Sequence, residues 1–129
     1  MSTDPIRVFL VDDDEGFRGA LRKLLGLEQD IAVVGEAGSG EELLSLDLNS
    51  LPTDVIVMDI KMPGIGGLEA SRRLKERGTK SKIIIFTQFH WYISYAASLG
   101  ASAAVYKLAA LERGALADII RLVVQSVDA

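Results

Sequence analysis

The chain has 129 residues, of which 49% are hydrophobic and 25% are charged, and these values fit one globular domain with a sizeable core. Its formal net charge of −4 argues against direct nucleic-acid binding by this segment, since phosphate contacts need a basic surface. The lack of cysteine excludes disulfides and thiolate metal sites. We find no signal-peptide pattern and no apolar run that could span a membrane, so we expect a cytoplasmic protein without a membrane partner.

Strand-like and helix-like segments alternate along the whole chain. The predicted strands cover residues 6–11, 31–35, 55–58, 82–86 and 103–106, and the predicted helices cover residues 15–27, 39–48, 68–77, 90–99 and 111–127. Asp14 and Ser39 are suitable N-caps for the first two helices. Strict alternation of short strands and helices predicts an α/β fold with a doubly wound parallel sheet and helices on both faces.

Polar residues of a particular kind follow the predicted strands. Asp12 and Asp13 follow the first strand, Asp59 the third, Thr87 the fourth and Lys107 the fifth. The carboxyl ends of parallel strands meet at one edge of the sheet, where ligands collect. Clustered carboxylates favour a hard cation such as Mg²⁺, and a hydroxyl and an ammonium can contact phosphoryl oxygens. The plainer alternative is that Asp59 only ends its strand.

The chain resembles the receiver domain of bacterial two-component response regulators. The resemblance is carried by Val11-Asp12-Asp13, by Met58-Asp59-Ile60-Lys61-Met62-Pro63-Gly64, by Thr87 and by Lys107. The runs VVGEA at 33–37 and GLEA at 67–70 are most similar to receivers that precede a LuxR/NarL-type helix-turn-helix domain. The resemblance implies one flavodoxin-like receiver (response regulatory) domain over residues 1–129, with five strands in the order 2-1-3-4-5, five helices and no output domain in this chain.

The resemblance also implies a role for each site residue. Asp59 would accept a phosphoryl group from the phosphohistidine of a sensor histidine kinase. Thr87 and Lys107 would contact that group. The implied Mg²⁺ ligands are Asp13, Asp12 (largely through water), Asp59 and the backbone carbonyl of Lys61. Phosphorylation would then switch a protein-interaction face and control transcriptional output, with DNA reached only through an output domain; homodimerisation is left open.

Two positions depart from the family pattern. Leu108 stands where the family usually has a proline after a cis peptide bond, and a cis bond to leucine would cost about 3 kcal/mol. We therefore expect a trans bond and an altered loop. The family's switch aromatic usually lies three residues before the lysine, at Ala104 in this chain. Tyr106 lies on the same strand face by alternation and is the candidate substitute.

The predicted fourth helix carries Trp91, Tyr92 and Tyr95. Aromatic residues are enriched in interface cores, so these three form a candidate interaction face, and ordinary packing is the alternative.

Two other functions compete with the phosphorylated switch. A degenerate receiver would keep the fold and bind a partner without phosphorylation, and the changes at Ala104 and Leu108 favour it. A Mg²⁺-dependent phosphatase would need a second carboxylate two residues after Asp59, where Lys61 stands. We therefore expect no enzymatic activity beyond slow self-dephosphorylation.

Overall fold

The computed structural model describes residues 4–88 and 101–126. Its strands are β1 (Ile6–Val11), β2 (Ile31–Ala37), β3 (Val55–Asp59), β4 (Lys82–Thr87) and β5 (Ala103–Tyr106). They form one five-stranded sheet in the order β2-β1-β3-β4-β5, and every pairing is parallel, which confirms the predicted topology. The helices are α1 (Glu15–Leu25), α2 (Gly40–Leu44), α3 (Gly67–Glu76) and α4 (Ala115–Gln125), with a 3₁₀ helix over Lys107–Leu111.

The sheet separates two hydrophobic cores. Successive side chains of a strand point to opposite faces, so Val8 and Leu10 of β1 pack with residues of α1 and α4. Phe9 and Val11 pack on the other face with residues of α2 and α3. This two-sided burial explains why the central strands are continuous apolar runs rather than alternating ones.

The predicted N-caps of the first two helices are confirmed. The Asp14 carboxylate accepts a hydrogen bond from the backbone N–H of Phe17 at 3.0 Å. The Ser39 hydroxyl accepts one from the backbone N–H of Glu42 at 3.0 Å. Each side chain satisfies an N–H that has no partner within the helix. Each therefore fixes the residue at which the helix begins after its strand.

Apart from the last helix, three element ends differ from the prediction by two residues or more. β2 continues to Ala37 because its last two residues still pair with β1. α1 ends at Leu25, two residues early. α2 ends at Leu44 instead of near residue 48, and the Ser45 hydroxyl donates to the carbonyl of Glu42 at 2.6 Å. The Asp47 carboxylate then binds the next turn's backbone and hydroxyl groups, so side chains compete with continued helix there.

The predicted last helix starts later than expected. The 3₁₀ helix occupies Lys107–Leu111, and Gly114, with φ of +83°, separates it from α4. Glycine adopts this left-handed conformation without steric cost, so the turn fixes the start of α4. No cis peptide bond occurs in the described parts of the chain, so the bond before Leu108 is trans as expected.

The predicted fourth helix, residues 90–99, lies outside the described residues. Of the helices within 4–88 and 101–126, none has the length and apolar character needed to cross a bilayer.

Candidate functional site

Three aspartates converge at the carboxyl edge of the sheet. Asp12 and Asp13 follow β1, and Asp59 is the last residue of β3. One carboxylate oxygen from each lies within 4.8 Å of the other two. Asp12 and Asp59 are buried, with exposed fractions of 2% and 6%, whereas Asp13 is exposed. The backbone N–H of Asp14 donates to Oδ1 of Asp12 at 2.9 Å, which orients that carboxylate.

Lys107 brings a positive charge between the two buried carboxylates. Its Nζ donates a hydrogen bond to Oδ2 of Asp59 at 3.0 Å. It also lies 3.0 Å from Oδ2 of Asp12, an ion-pair distance without hydrogen-bond geometry. The ammonium sits 4.5 Å from the ring centre of Phe17, which packs edge-on against Phe86. The aromatic pair therefore supports the lysine from the α1 side of the sheet.

Burial and charge act in opposite directions on these groups. Burial raises the pKa of the Asp59 carboxyl; the Lys107 hydrogen bond lowers it, the Asp12 charge raises it, and the net shift is upward. Burial lowers the pKa of Lys107, but its contacts with Asp59 and Asp12 outweigh burial and hold the pKa above its usual range. The lysine therefore stays charged, while the site holds its negative charge at a free-energy cost.

The loop after β3 packs directly on Asp59. A Cβ on Gly67 would lie 2.2 Å from the carbonyl oxygen of Asp59, so only glycine allows this approach. The Glu41 carboxylate of α2 accepts a hydrogen bond from the backbone N–H of Ile65 at 3.0 Å. These contacts hold the loop that carries Lys61, whose side chain is exposed.

Thr87 and Tyr106 end the two neighbouring strands. Thr87 is 2% exposed and pairs in register with Tyr106, while the preceding Phe86 pairs with Asp59. Tyr106 is half-buried, and Ala104 packs against the α2/α3 core. A cleft of about 470 Å³ opens beside the site, and its described lining is Asp14, Phe17, Gln88, Tyr106, Lys107 and Leu108.

The structure thus brings Asp12, Asp13, Asp59 and Lys107 together, as the strand ends predict. The candidate interaction residues Trp91, Tyr92 and Tyr95 lie outside the described residues. Their proposed role stays a prediction.

Sequence reasoning missed two residues that support the site. Arg18 donates to the backbone carbonyl of Asp12 at 2.6 Å, and Glu41 holds the loop after β3. One sequence feature could have pointed to Arg18: it lies beside the apolar stripe of α1, and a charged residue that is partly buried needs a polar partner. No comparable signal marks Glu41, which lies in the exposed first turn of α2.

Residues 8–120 match the family model of the response regulator receiver domain. The chain belongs to this family. It is therefore a receiver domain of the response regulators of two-component systems. A transcriptional regulatory protein of Bacillus subtilis (strain 168), YvfU, is 41% identical over 116 residues, which are 90% of this chain and 58% of that protein. DesR of the same organism is 44% identical over 84 residues, 65% of this chain and 41% of DesR.

The subfamily prediction is confirmed as well. The nitrate/nitrite response regulator NarL of Escherichia coli (strain K12) is 37% identical over 84 residues, 65% of this chain and 38% of NarL. A LuxR-family response regulator from Aurantimonas sp. SI85-9A1 superposes with a TM-score of 0.84 at 31% identity, covering 94% of this receiver and 86% of that chain. The receiver spans less than two thirds of the length of these curated relatives.

Proposed function

We propose that this receiver is a switch activated by phosphorylation of Asp59, with a sensor histidine kinase as phosphodonor. The observation that carries the proposal is the Asp59 carboxylate, buried between the Lys107 ammonium and two further aspartates. A carboxylate can act as a phosphoryl acceptor when nearby positive charge offsets the charge that develops on the transferred group.

The residues present fit Mg²⁺. The donor set consists of oxygens only, and Oδ2 of the buried Asp12 has no hydrogen-bond partner within the described chain. Hard oxygen ligands of this kind suit Mg²⁺. Asp12, Asp13, Asp59 and the backbone carbonyl of Lys61 would hold the ion. When bound, it would supply positive charge to the phosphoryl oxygens.

The transfer needs little chemistry from the protein. A carboxylate oxygen of Asp59 would attack phosphorus, the bond from phosphorus to the kinase imidazole nitrogen would break, and the electron pair would leave with the imidazole. Lys107 already contacts Asp59 and would pair with the incoming charge. The Thr87 hydroxyl would donate to a phosphoryl oxygen. These roles rest on positioning and charge, which dominate phosphoryl transfer.

The output is proposed to be transcriptional control through a longer protein. Similar proteins are named as transcriptional regulators, and this receiver matches only part of their length. The receiver would work in the cytoplasm, exposing or hiding an interaction face when Asp59 changes charge, and a homodimer is one candidate assembly. Tyr106 is the proposed switch aromatic, supported by its in-register pairing with Thr87.

Phosphorylation by acetyl phosphate tests the proposal. Intact mass should rise by one phosphoryl group with Mg²⁺ and should not rise without it. Asp59→Asn should abolish the gain. Asp54→Asn is the matched control, because Asp54 precedes the same strand at its opposite end and pairs with Arg7.

The competing functions predict different results. No mass gain in any condition would favour a phosphorylation-independent binding module. A gain that persists in Asp59→Asn would place the acceptor elsewhere. Steady turnover of small phosphate esters would favour an enzyme.

A further inference from the structure

The guanidinium of Arg18 joins the acidic turn to β2. Its Nη1 donates to the backbone carbonyl oxygen of Asp12 at 2.6 Å, and its Nε donates to Oε1 of Glu36 at 2.8 Å. Both side chains are largely buried, with exposed fractions of 18% and 22%. The phosphotransfer chemistry described above uses neither residue.

The carbonyl that Arg18 holds belongs to the peptide unit between Asp12 and Asp13. Its orientation therefore sets the direction in which Asp13 leaves the turn. Two other hydrogen bonds in this turn act on the neighbouring residues: the Asp12 N–H donates to the Ala37 carbonyl, and the Asp14 N–H donates to the Asp12 carboxylate. Asp13 itself is exposed. The Arg18 bond is the described contact that fixes the peptide unit leading into Asp13.

We propose that Arg18 is a positioning residue that orients Asp13 for the bound cation and uses Glu36 as its anchor. The inference rests on the proposed Mg²⁺ site. Arg18 binds the backbone, so it leaves the carboxylate oxygens of the acidic cluster for metal. Glu36 offsets its positive charge, which reduces repulsion between the guanidinium and the cation.

Arg22 provides a matched comparison on the same helix. Its Nη1 donates to the other carboxylate oxygen of Glu36 at 2.6 Å. Within residues 4–88 and 101–126, Arg22 forms its ion pair with Glu36 and makes no hydrogen bond to the acidic turn. Arg18→Ala and Arg22→Ala therefore remove the same charge and one bond to the same glutamate, but only Arg18→Ala frees the Asp12 carbonyl.

Two measurements test the role. Calorimetric Mg²⁺ titration should show a dissociation constant raised by about ten-fold in Arg18→Ala, as found for groups that orient metal ligands, and unchanged in Arg22→Ala. The amide ¹⁵N shift of Asp13 in the metal-free protein should move in Arg18→Ala and stay in place in Arg22→Ala, because a bond to the Asp12 carbonyl polarises that peptide unit. Dispersed amide spectra establish that each variant is folded.

A second variant covers the case in which Arg18→Ala does not fold. Glu36→Gln keeps the side-chain length but removes the anchor's charge, and it should weaken Mg²⁺ binding less than Arg18→Ala while moving the Asp13 signal. Equal Mg²⁺ affinity in wild type and Arg18→Ala, or equal losses in Arg18→Ala and Arg22→Ala, would overturn the inference. If Glu36→Gln alone folds, an unmoved Asp13 signal would overturn it.

The outcome is separable from that of the proposed function. A wild-type protein that binds Mg²⁺ but takes up no phosphoryl group would refute the switch at Asp59. The contrast between the two arginine variants would still decide the role of Arg18.

Discussion

Replacing Lys107 with methionine would leave two buried carboxylates without their counter-charge. At an effective dielectric constant of about 20, the Coulomb attraction across each 3.0 Å contact of the ammonium is roughly 5 kcal/mol. Removing each ion from water costs several kcal/mol, which offsets much of that attraction. Breaking a buried ion pair costs about 3–5 kcal/mol. We expect a loss of about 3 kcal/mol in the free energy of unfolding at pH 7. This is the lower end of that range, because the exposed Asp13 shows that solvent reaches the site.

The loss should depend on pH in a definite direction. Without the Lys107 hydrogen bond, the pKa of Asp59, already raised by burial, rises further. A carboxyl whose pKa is higher in the folded than in the unfolded state destabilises the fold above its folded pKa. That penalty shrinks as the pH falls below the folded pKa and is gone below the unfolded pKa. The difference between Lys107→Met and wild type should therefore be smaller at pH 5 than at pH 7.

Urea unfolding followed by far-ultraviolet circular dichroism measures both effects. Lys23→Met is the control, because Lys23 is exposed on α1 and its replacement should change stability by less than about 0.5 kcal/mol. A loss below about 1 kcal/mol at pH 7 would refute the reasoning, since it falls well short of the cost of breaking a buried pair. So would an equal loss at the two pH values.

Two further predictions concern the loop after β3. Gly67→Ala should lose about 1–3 kcal/mol of stability and slow phosphorylation, because its Cβ would meet the Asp59 carbonyl. Gly19→Ala on α1 should be neutral or gain up to about 1 kcal/mol, because its Cβ would make only an ordinary 3.5 Å contact with the Arg22 guanidinium. Equal melting temperatures for the two variants would contradict this. Glu41→Ala should speed hydrogen exchange at the Ile65 amide, because it removes the acceptor of that N–H. Glu41→Gln keeps an acceptor and should keep the amide protected. Identical exchange rates in the two variants would count against the contact.

The strand positions and their order along the chain were accessible from sequence because each strand is a short apolar run that ends in a polar residue. The sheet order 2-1-3-4-5 came from family resemblance, since alternation alone permits other orders. Helix ends were less predictable where local side chains compete with the backbone. Ser45 binds the Glu42 carbonyl and so ends α2 early, an interaction that helical periodicity does not register.

In the site, too, the positions of the residues could be predicted from the sequence, whereas the contacts between their side chains could not. Asp12, Asp59 and Lys107 could be assigned to one sheet edge because each follows a strand. That the ammonium contacts both carboxylates depends on three side-chain directions, which the strand pattern leaves open. The hydrogen bond from Arg18 to the Asp12 carbonyl is still harder to predict from the sequence, because it also needs Glu36, 18 residues away, to hold the guanidinium.

The two family departures have different structural consequences. Leu108 is accommodated by a trans bond and a 3₁₀ helix that begins at Lys107 itself, so any displacement of the lysine acts directly on the segment leading to α4.

Ala104 pairs in register with Ile85, two residues before the end of β5, and has no ring to move. Tyr106 pairs with Thr87 instead. In-register neighbours of a parallel sheet share a face, so Thr87 and Tyr106 lie side by side, which is the arrangement that supports the proposed switch role of Tyr106. Tyr106, which pairs with Thr87, is thus the last residue of β5, and Lys107 follows it as the first residue of the 3₁₀ helix.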